Sequence, residues 1–253
     1  MTVYELYEKL NIKIPSSLSC EWDNDGLMCC PRPQCDVSRV MICLDVTAEV
    51  VDVAVREGYD VIISHHPLIF KGLKNLSGED CVSRKAMELV AEGVAVFSFH
   101  TRLDAVSGGV NDTLSAILGI KDVSPFGEDS IGRVGTLEAP CEPDVFAAHV
   151  KERLGVDFVR YSKGSEMCRR VAVLGGEGGD DIAQAKAAGA DTFVSGRLGY
   201  HNMTDAPQMG MTLIEAGHFY TENPICKVIK GMVEGIDPNI SCDIFYSNVI
   251  RSV

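Results

Sequence analysis

The sequence predicts an α/β protein made of two related lobes, each a mostly parallel sheet flanked by helices. Three observations carry this expectation. Short apolar runs alternate with amphipathic stretches of helical period along most of the chain. The strand-like runs are apolar throughout rather than alternating, as in strands covered on both faces. Residues 39–64, RVMICLDVTAEVVDVAVREGYDVIIS, are echoed by residues 170–195, RVAVLGGEGGDDIAQAKAAGADTFVS. Each segment runs strand, helix, Gly-X-Asp, short apolar strand and Ser. The expected division is one lobe over 1–125 and a second over 126–253.

The elements follow in order. VMICLD (40–45) reads as a strand and TAEVVDVAVREG (47–58) as a helix, with Thr47 as N-cap and Val50, Val53 and Ala54 inward. YDVIISH is a strand, and residues 80–92 form a helix stopped at Gly93. VAVFSFH is the next strand, and GVNDTLSAILG a helix closed by Gly119. A loop is expected near 124–130. GRVGTLE then reads as a strand, PDVFAAHVKERLG as a helix, RRVAVLGG as a strand and DDIAQAKAAG as a helix. ADTFVSG and MTLIEAG are strands, ENPICKVIKGMVE a helix and CDIFYS a final strand.

Composition narrows the function classes. A net charge of −13 works against binding a nucleic-acid backbone, which depends on Lys and Arg. No apolar run approaches the ~20 residues of a membrane span. The start, MTVYELYEKLNIKIP, lacks the basic and apolar regions of a signal peptide, so a cytoplasmic protein without membrane association is expected. Ten cysteines then read as free thiols in a reducing compartment. Cys29, Cys30 and Cys35 cluster in GLMCCPRPQC, but no second CxxC-like pair exists to complete a structural zinc site. A surface loop with free thiols is the expectation there.

Ligands of α/β folds gather at the carboxyl ends of parallel strands. His65 and His66 end one strand in SHHPLIF. His100 ends another and is followed by Asp104. His218 follows MTLIEAG, with Glu222 four residues on, a spacing that places both on one helix face. A single histidine at a strand end is usually a satisfied polar residue, and His149 and His201 are read that way. Two adjacent imidazoles held at a proline-fixed strand exit, with HxxxD and HxxxE beside them, point instead to metal. Five N and O ligands suit two ions with open positions rather than one closed zinc. The donor types admit Zn, Fe, Mn, Co or Ni without selecting one.

These stretches together resemble the GTP cyclohydrolase type-two-like family of dinuclear-metal, hexameric ring proteins, in its short form without an inserted middle domain. The resemblance rests on EWDNDGL (21–27), SHHPLIF and the following Lys71-Gly72-Leu73, FHTRLDAVSGGVND (99–112) and EAGHFYTE (215–222). It implies a metal site in the cleft between two lobes, a ring of six subunits, and His65, His66, Asp104, His218 and Glu222 as ligands to two divalent ions per subunit. Glu222 is then the candidate bridging carboxylate, and His100 a candidate proton relay beside the metals. Two departures stand out: Arg102 where the family commonly has Asn, and Arg197 where it often has Glu. Extra cations there would favour an anionic substrate, or lie on the surface.

The expected activity is metal-dependent hydrolysis of a small molecule, a nucleotide or small phosphate, with Glu215 as a further candidate for moving protons. The family label implies opening of the guanine ring of GTP. Gly175–Gly179, GGEGG, offers backbone amides to an anion or is a plain turn. The competing expectation is a non-enzymatic protein that stores or delivers metal, or a ring scaffold.

Overall fold

A computed structural model describes residues 1–251. Its elements in chain order begin with α1 (Val3–Lys13), β1 (Gly26–Cys29), β2 (Arg39–Cys43), α2 (Ala48–Glu57) and β3 (Val61–Ser64). They continue with α3 (Cys81–Glu92), β4 (Ala95–Ser98), α4 (Thr101–Ala105), α5 (Val110–Leu118), β5 (Ile120–Phe126) and β6 (Gly132–Cys141). Next come α6 (Pro143–Leu154), β7 (Arg160–Ser162), β8 (Cys168–Glu177), α7 (Ile182–Ala187), β9 (Thr192–Arg197) and α8 (Tyr200–Met209). The chain closes with β10 (Thr212–Glu215), α9 (His218–Glu222), α10 (Ile225–Ile236) and β11 (Ser241–Ile244).

These elements form two compact units. One joins Met1–Leu103 to the chain from Ile225 onward, and the other is Asp104–Pro224. The sequence reading cut the chain once, near 125. The structure instead returns its last helix and strand to the first unit, because β11 pairs in parallel with β2 and α10 packs against α1 and β2.

The first unit holds a five-stranded sheet in the order β1-β4-β3-β2-β11. Its interior pairings are parallel, and β1 joins the edge antiparallel to β4. Every residue of β3 and β4 is buried, which explains why these strands read as unbroken apolar runs. The α2 cap stands where the sequence put it, and Asp80, read as the first helical residue, caps α3. Thr47 Oγ1 accepts from Val50 N–H at 3.2 Å and Asp80 Oδ1 from Ser83 N–H at 2.7 Å. Gly58 and Gly93 end these helices in the left-handed region.

The second unit holds a six-stranded sheet in the order β5-β6-β8-β9-β10-β7. Here β8, β9 and β10 run parallel, while β5, β6 and β7 add antiparallel pairings. Both sheets are therefore mixed, and the expectation of mostly parallel pairing fits the first unit only. The loop expected near 124–130 is taken in part by β5, an edge strand exposed along its middle, which carries no apolar signal. The echo seen in the sequence has a physical counterpart. Asp60 accepts from the Ser38 and Arg39 amides, and Asp191 accepts from those of Arg169 and Arg170. In each unit the aspartate after a helix-ending Gly-X pins the start of the neighbouring strand.

Each unit also contains a buried arginine. Arg102 is 1% exposed. It donates from Nε to Asp25 Oδ2 at 3.0 Å and from Nη1 to Asn11 Oδ1 at 2.8 Å and Ile14 O at 3.2 Å. Its guanidinium lies 4.7 Å from the Phe99 ring centroid. In the second unit Arg133 donates to Asp112 Oδ1 at 2.7 Å and to the Ala105 carbonyl at 2.7 Å. Arg102 is thus an internal tie of the first unit, not a cation offered to an anionic substrate. Arg102→Leu leaves Asp25 buried without its counter-charge, and we expect it to cost about 3–5 kcal/mol. Urea denaturation of the two proteins checks this; a loss under about 1 kcal/mol, the range of an exposed pair, would remove the tie from the account.

Candidate metal-binding residues and family membership

In the first unit the site is built at the ends of β3 and β4. His66 N–H still pairs with Leu44 O at 2.9 Å, so the β3 exit stays attached to the chain beyond β2. Ser64 Oγ meets Ser98 Oγ at 2.8 Å and donates to His66 O at 2.8 Å, closing the turn that Pro67 then stiffens. This places the His65 and His66 ring centroids 5.0 Å apart, with His100 at 5.3 Å and 5.8 Å from them. One donor atom from each of the three rings lies within 4.8 Å of the others.

The orientation of these rings is set by hydrogen bonds at Nδ1. His65 Nδ1 meets Phe99 O at 2.9 Å, His66 Nδ1 meets Asp45 Oδ1 at 2.7 Å and His100 Nδ1 meets Asp23 Oδ1 at 2.9 Å. A carbonyl and two carboxylates act as acceptors here, so each Nδ1 is the donor and, in a neutral ring, Nε2 carries the lone pair. Imidazole donating to carbonyl or carboxylate from one nitrogen is the arrangement that orients metal-binding histidines. Asp23 is itself held firmly ionised. Burial works against its charge, but hydrogen bonds from His100 and Thr101 outweigh this and bring its pKa down to about 2.

In the second unit Asp104 is buried in α4, and α9 carries His218 and Glu222. His218 Nε2 lies 3.0 Å from Glu222 Oε2, as the four-residue spacing predicts. Glycine makes room for this pair. At Gly176, with φ +68°, a Cβ would stand 2.2 Å from Glu222 Oε1 and 3.1 Å from His218 Nε2. At Gly196 a Cβ would stand 2.7 Å from His218 Cα and 2.6 Å from Thr221 Oγ1. Thr221 Oγ1 in turn accepts from Gly176 N–H at 3.1 Å, locking α9 to the end of β8.

The structure therefore gathers His65, His66 and His100 in one unit and His218 with Glu222 in the other. The donors are imidazole and carboxylate, which fit divalent transition metals and not a thiolate zinc site. His100, read from the sequence as lying near the metals, stands among the first-unit imidazoles. Of the two readings of Arg197, the surface one fits: it is exposed and paired to Glu177 Oε2 at 2.9 Å. Glu215 accepts from Arg160 Nε at 2.9 Å and from Leu198 N–H at 2.8 Å, so both its oxygens are committed. Three of the GGEGG amides are spent within the fold: Gly175 N–H goes to Asn111 Oδ1 at 2.7 Å, Gly176 N–H to Thr221 Oγ1 at 3.1 Å and Gly178 N–H to Arg197 O at 3.2 Å. Cys29 lies in β1 rather than a loop, and burial pushes its thiol up to about 11.

Asp23 and Asp45 were not singled out from the sequence as partners of histidine. Each had a signal: Asp45 ends VMICLD at the carboxyl end of β2, and Asp23 lies in the EWDNDGL stretch.

The fold and these residues define a class: an α/β protein with two mixed sheets and His/Asp/Glu clusters able to hold metal ions. Within that class the chain belongs to the Duf34/NIF3 (NGG1p interacting factor 3) family, whose model matches residues 1–252. It is 34% identical over 234 residues to the GTP cyclohydrolase 1 type 2 homolog of Clostridium perfringens, covering 89% of each chain. It is 31% identical over 247 residues to the protein NIF3 homolog of Schizosaccharomyces pombe, covering 88% of each. Among solved structures it resembles Staphylococcus aureus protein SA1388, with TM-score 0.88 and 25% identity over 100% of this chain and 99% of that one. Reduced HcgD from Methanocaldococcus jannaschii is similar at TM-score 0.86 and 25% identity, over 98% of each chain.

Two substitutions follow from the geometry. Asp45→Asn keeps the size of the side chain but removes the charge that fixes His66; metal affinity should fall about 10–100-fold, read by competition with a chromogenic chelator. Gly176→Ala should displace Glu222 and lower metal content while Gly58→Ala, with open space around it, should not. Equal metal content in the two alanine variants would show that Glu222 needs no such clearance.

Proposed function

We propose that the chain is a metal-dependent hydrolase acting on a nucleotide or small phosphate, with two divalent ions held by His65, His66, Asp104, His218 and Glu222. The observation that carries this reading is the common orientation of the three first-unit imidazoles, each with Nδ1 anchored on an acceptor and Nε2 as the lone-pair nitrogen. Metal ions in such a donor set supply Lewis acidity toward an oxygen of the substrate and lower the pKa of water.

The chain's own groups have distinct tasks in this reading. Asp45 and the Phe99 carbonyl orient His66 and His65. Glu222, a buried carboxylate with two oxygens, is the candidate to bridge. His100 is held by an ionised Asp23 that keeps the proton on Nδ1, so its Nε2 can accept a proton and return it. The likeness to proteins called GTP cyclohydrolase 1 type 2 homologs supports nucleotide chemistry. Family resemblance also supports assembly as a ring of six, tested by light scattering for a mass six times the 27.4 kDa chain.

The test is metal content followed by turnover. Elemental analysis should find about two transition-metal ions per chain, with less in His66→Ala and His218→Ala. Turnover on a panel of nucleotides and phosphate esters should then disappear in His66→Ala with circular dichroism unchanged. A wild-type protein that neither carries nor takes up Zn, Mn, Fe, Co or Ni would sink the proposal. Two bound ions without turnover on any substrate would leave a metal carrier in its place.

A further inference from the structure

The chain carries a net charge of −13, yet one cavity of the first unit reverses that sign. It has a volume of about 620 Å³, within the range of small-molecule sites. Lys71, Lys74 and Lys85 line it, and Asp80 is the one carboxylate among its lining residues. Asp80 is already committed to capping α3 through Ser83 N–H. Lys85 is half-buried, and its ammonium donates to the Val46 carbonyl. The opening turn of α3, a 12-residue helix, forms another wall.

The cavity begins at Pro67, one residue after His66, and Phe70 is part of its lining. The Phe70 ring also stands edge-on to His100, at 6.0 Å between centroids and an interplanar angle of 88°. Trp22 completes an aromatic corner, 6.2 Å from Phe70 and 6.3 Å from His100. Both rings stay in water, Trp22 at 61% and Phe70 at 45% exposure. Large aromatics left exposed together, beside a histidine cluster, mark a surface that receives something. Phe70 therefore links a cationic cavity to the imidazoles.

We propose that this cavity and its aromatic corner recognise a heteroaromatic phosphomonoester: Lys71, Lys74 and Lys85 take the phosphate, and Phe70 with Trp22 take the ring. The role of His65, His66 and His100 toward that molecule rests on the hydrolase reading above; the binding site itself does not. Lysines act as mobile point charges rather than rigid forks, so they accept a phosphate without fixing its angle. The rings then supply orientation.

Trp22 is the sole tryptophan of the chain, so its fluorescence reports on this corner alone. The full chain, freed of metal, is titrated with AMP, with adenosine and with inorganic phosphate. AMP should change Trp22 emission saturably, adenosine should bind at least about tenfold more weakly, and phosphate should displace AMP. Lys71→Ala/Lys74→Ala should weaken AMP at least about tenfold, while taking up as much metal as the wild type. No saturable response to AMP, equal affinity for adenosine, or an unaltered double variant would each overturn the proposal. AMP binding by a chain that takes up no metal would sustain this site and defeat the hydrolase reading. Two bound metals without any AMP response would do the reverse.

Discussion

The first-unit site depends on two carboxylates brought to the end of β4 from a loop some 75 residues earlier. Asp23 receives Thr101 N–H at 3.1 Å and Thr101 Oγ1 at 2.7 Å, besides the His100 ring. Asp25 receives His100 N–H at 3.2 Å and the Arg102 guanidinium. Three consecutive residues, His100, Thr101 and Arg102, are thus held by side chain and backbone together. The amides at the start of α4 would otherwise lack acceptors. Gly26 lets the loop come this close, since a Cβ there would stand 2.8 Å from Tyr7 Oη and 2.9 Å from Arg102 Nη2. The clamp stiffens the one imidazole of the cluster that β3 does not supply.

The second unit reaches precision by subtraction. Glycines at the ends of β8 and β9 remove side chains where α9 must sit, and Thr221 ties the short helix down with a single hydroxyl. A helix of this length has little stability of its own. Its position is set by the strands beneath it, so His218 and Glu222 inherit the rigidity of the sheet. Both units place donors on strand exits or the first turn beyond them, which is where α/β folds expose backbone ends to ligands.

Much of this was legible in the sequence because it is local. The cap at Thr47 and the stops at Gly93 and Gly119 act over a few residues, and the buried strands announce themselves by apolar content. The strands β1, β5 and β7 and the helix α8 were not legible. β5 and β7 are edge strands with mostly exposed residues, and α8 is polar with Pro207 inside it. The histidines and carboxylates of these clusters stood out by type and spacing. The partners of those histidines did not stand out. Asp23 and His100 are 77 residues apart, and Asp45 and His66 are 21 apart, distances over which spacing carries no geometric information. Arg102 misled for the same reason: a charge near a strand end reads as a ligand contact until its buried partners Asp25 and Asn11 are known.

The return of α10 and β11 to the first unit bears on how the chain is made. Synthesis delivers Asp104–Pro224 as one uninterrupted segment, able to pair all the strands of its own sheet as soon as it has emerged. The first unit must wait, because β2 finds its outer neighbour only when residues 241–244 arrive. Until then β2 presents an open, apolar strand edge, the kind of surface that invites wrong pairing. The unit begun first is completed last, and its nascent form is the one that would need shielding on the ribosome.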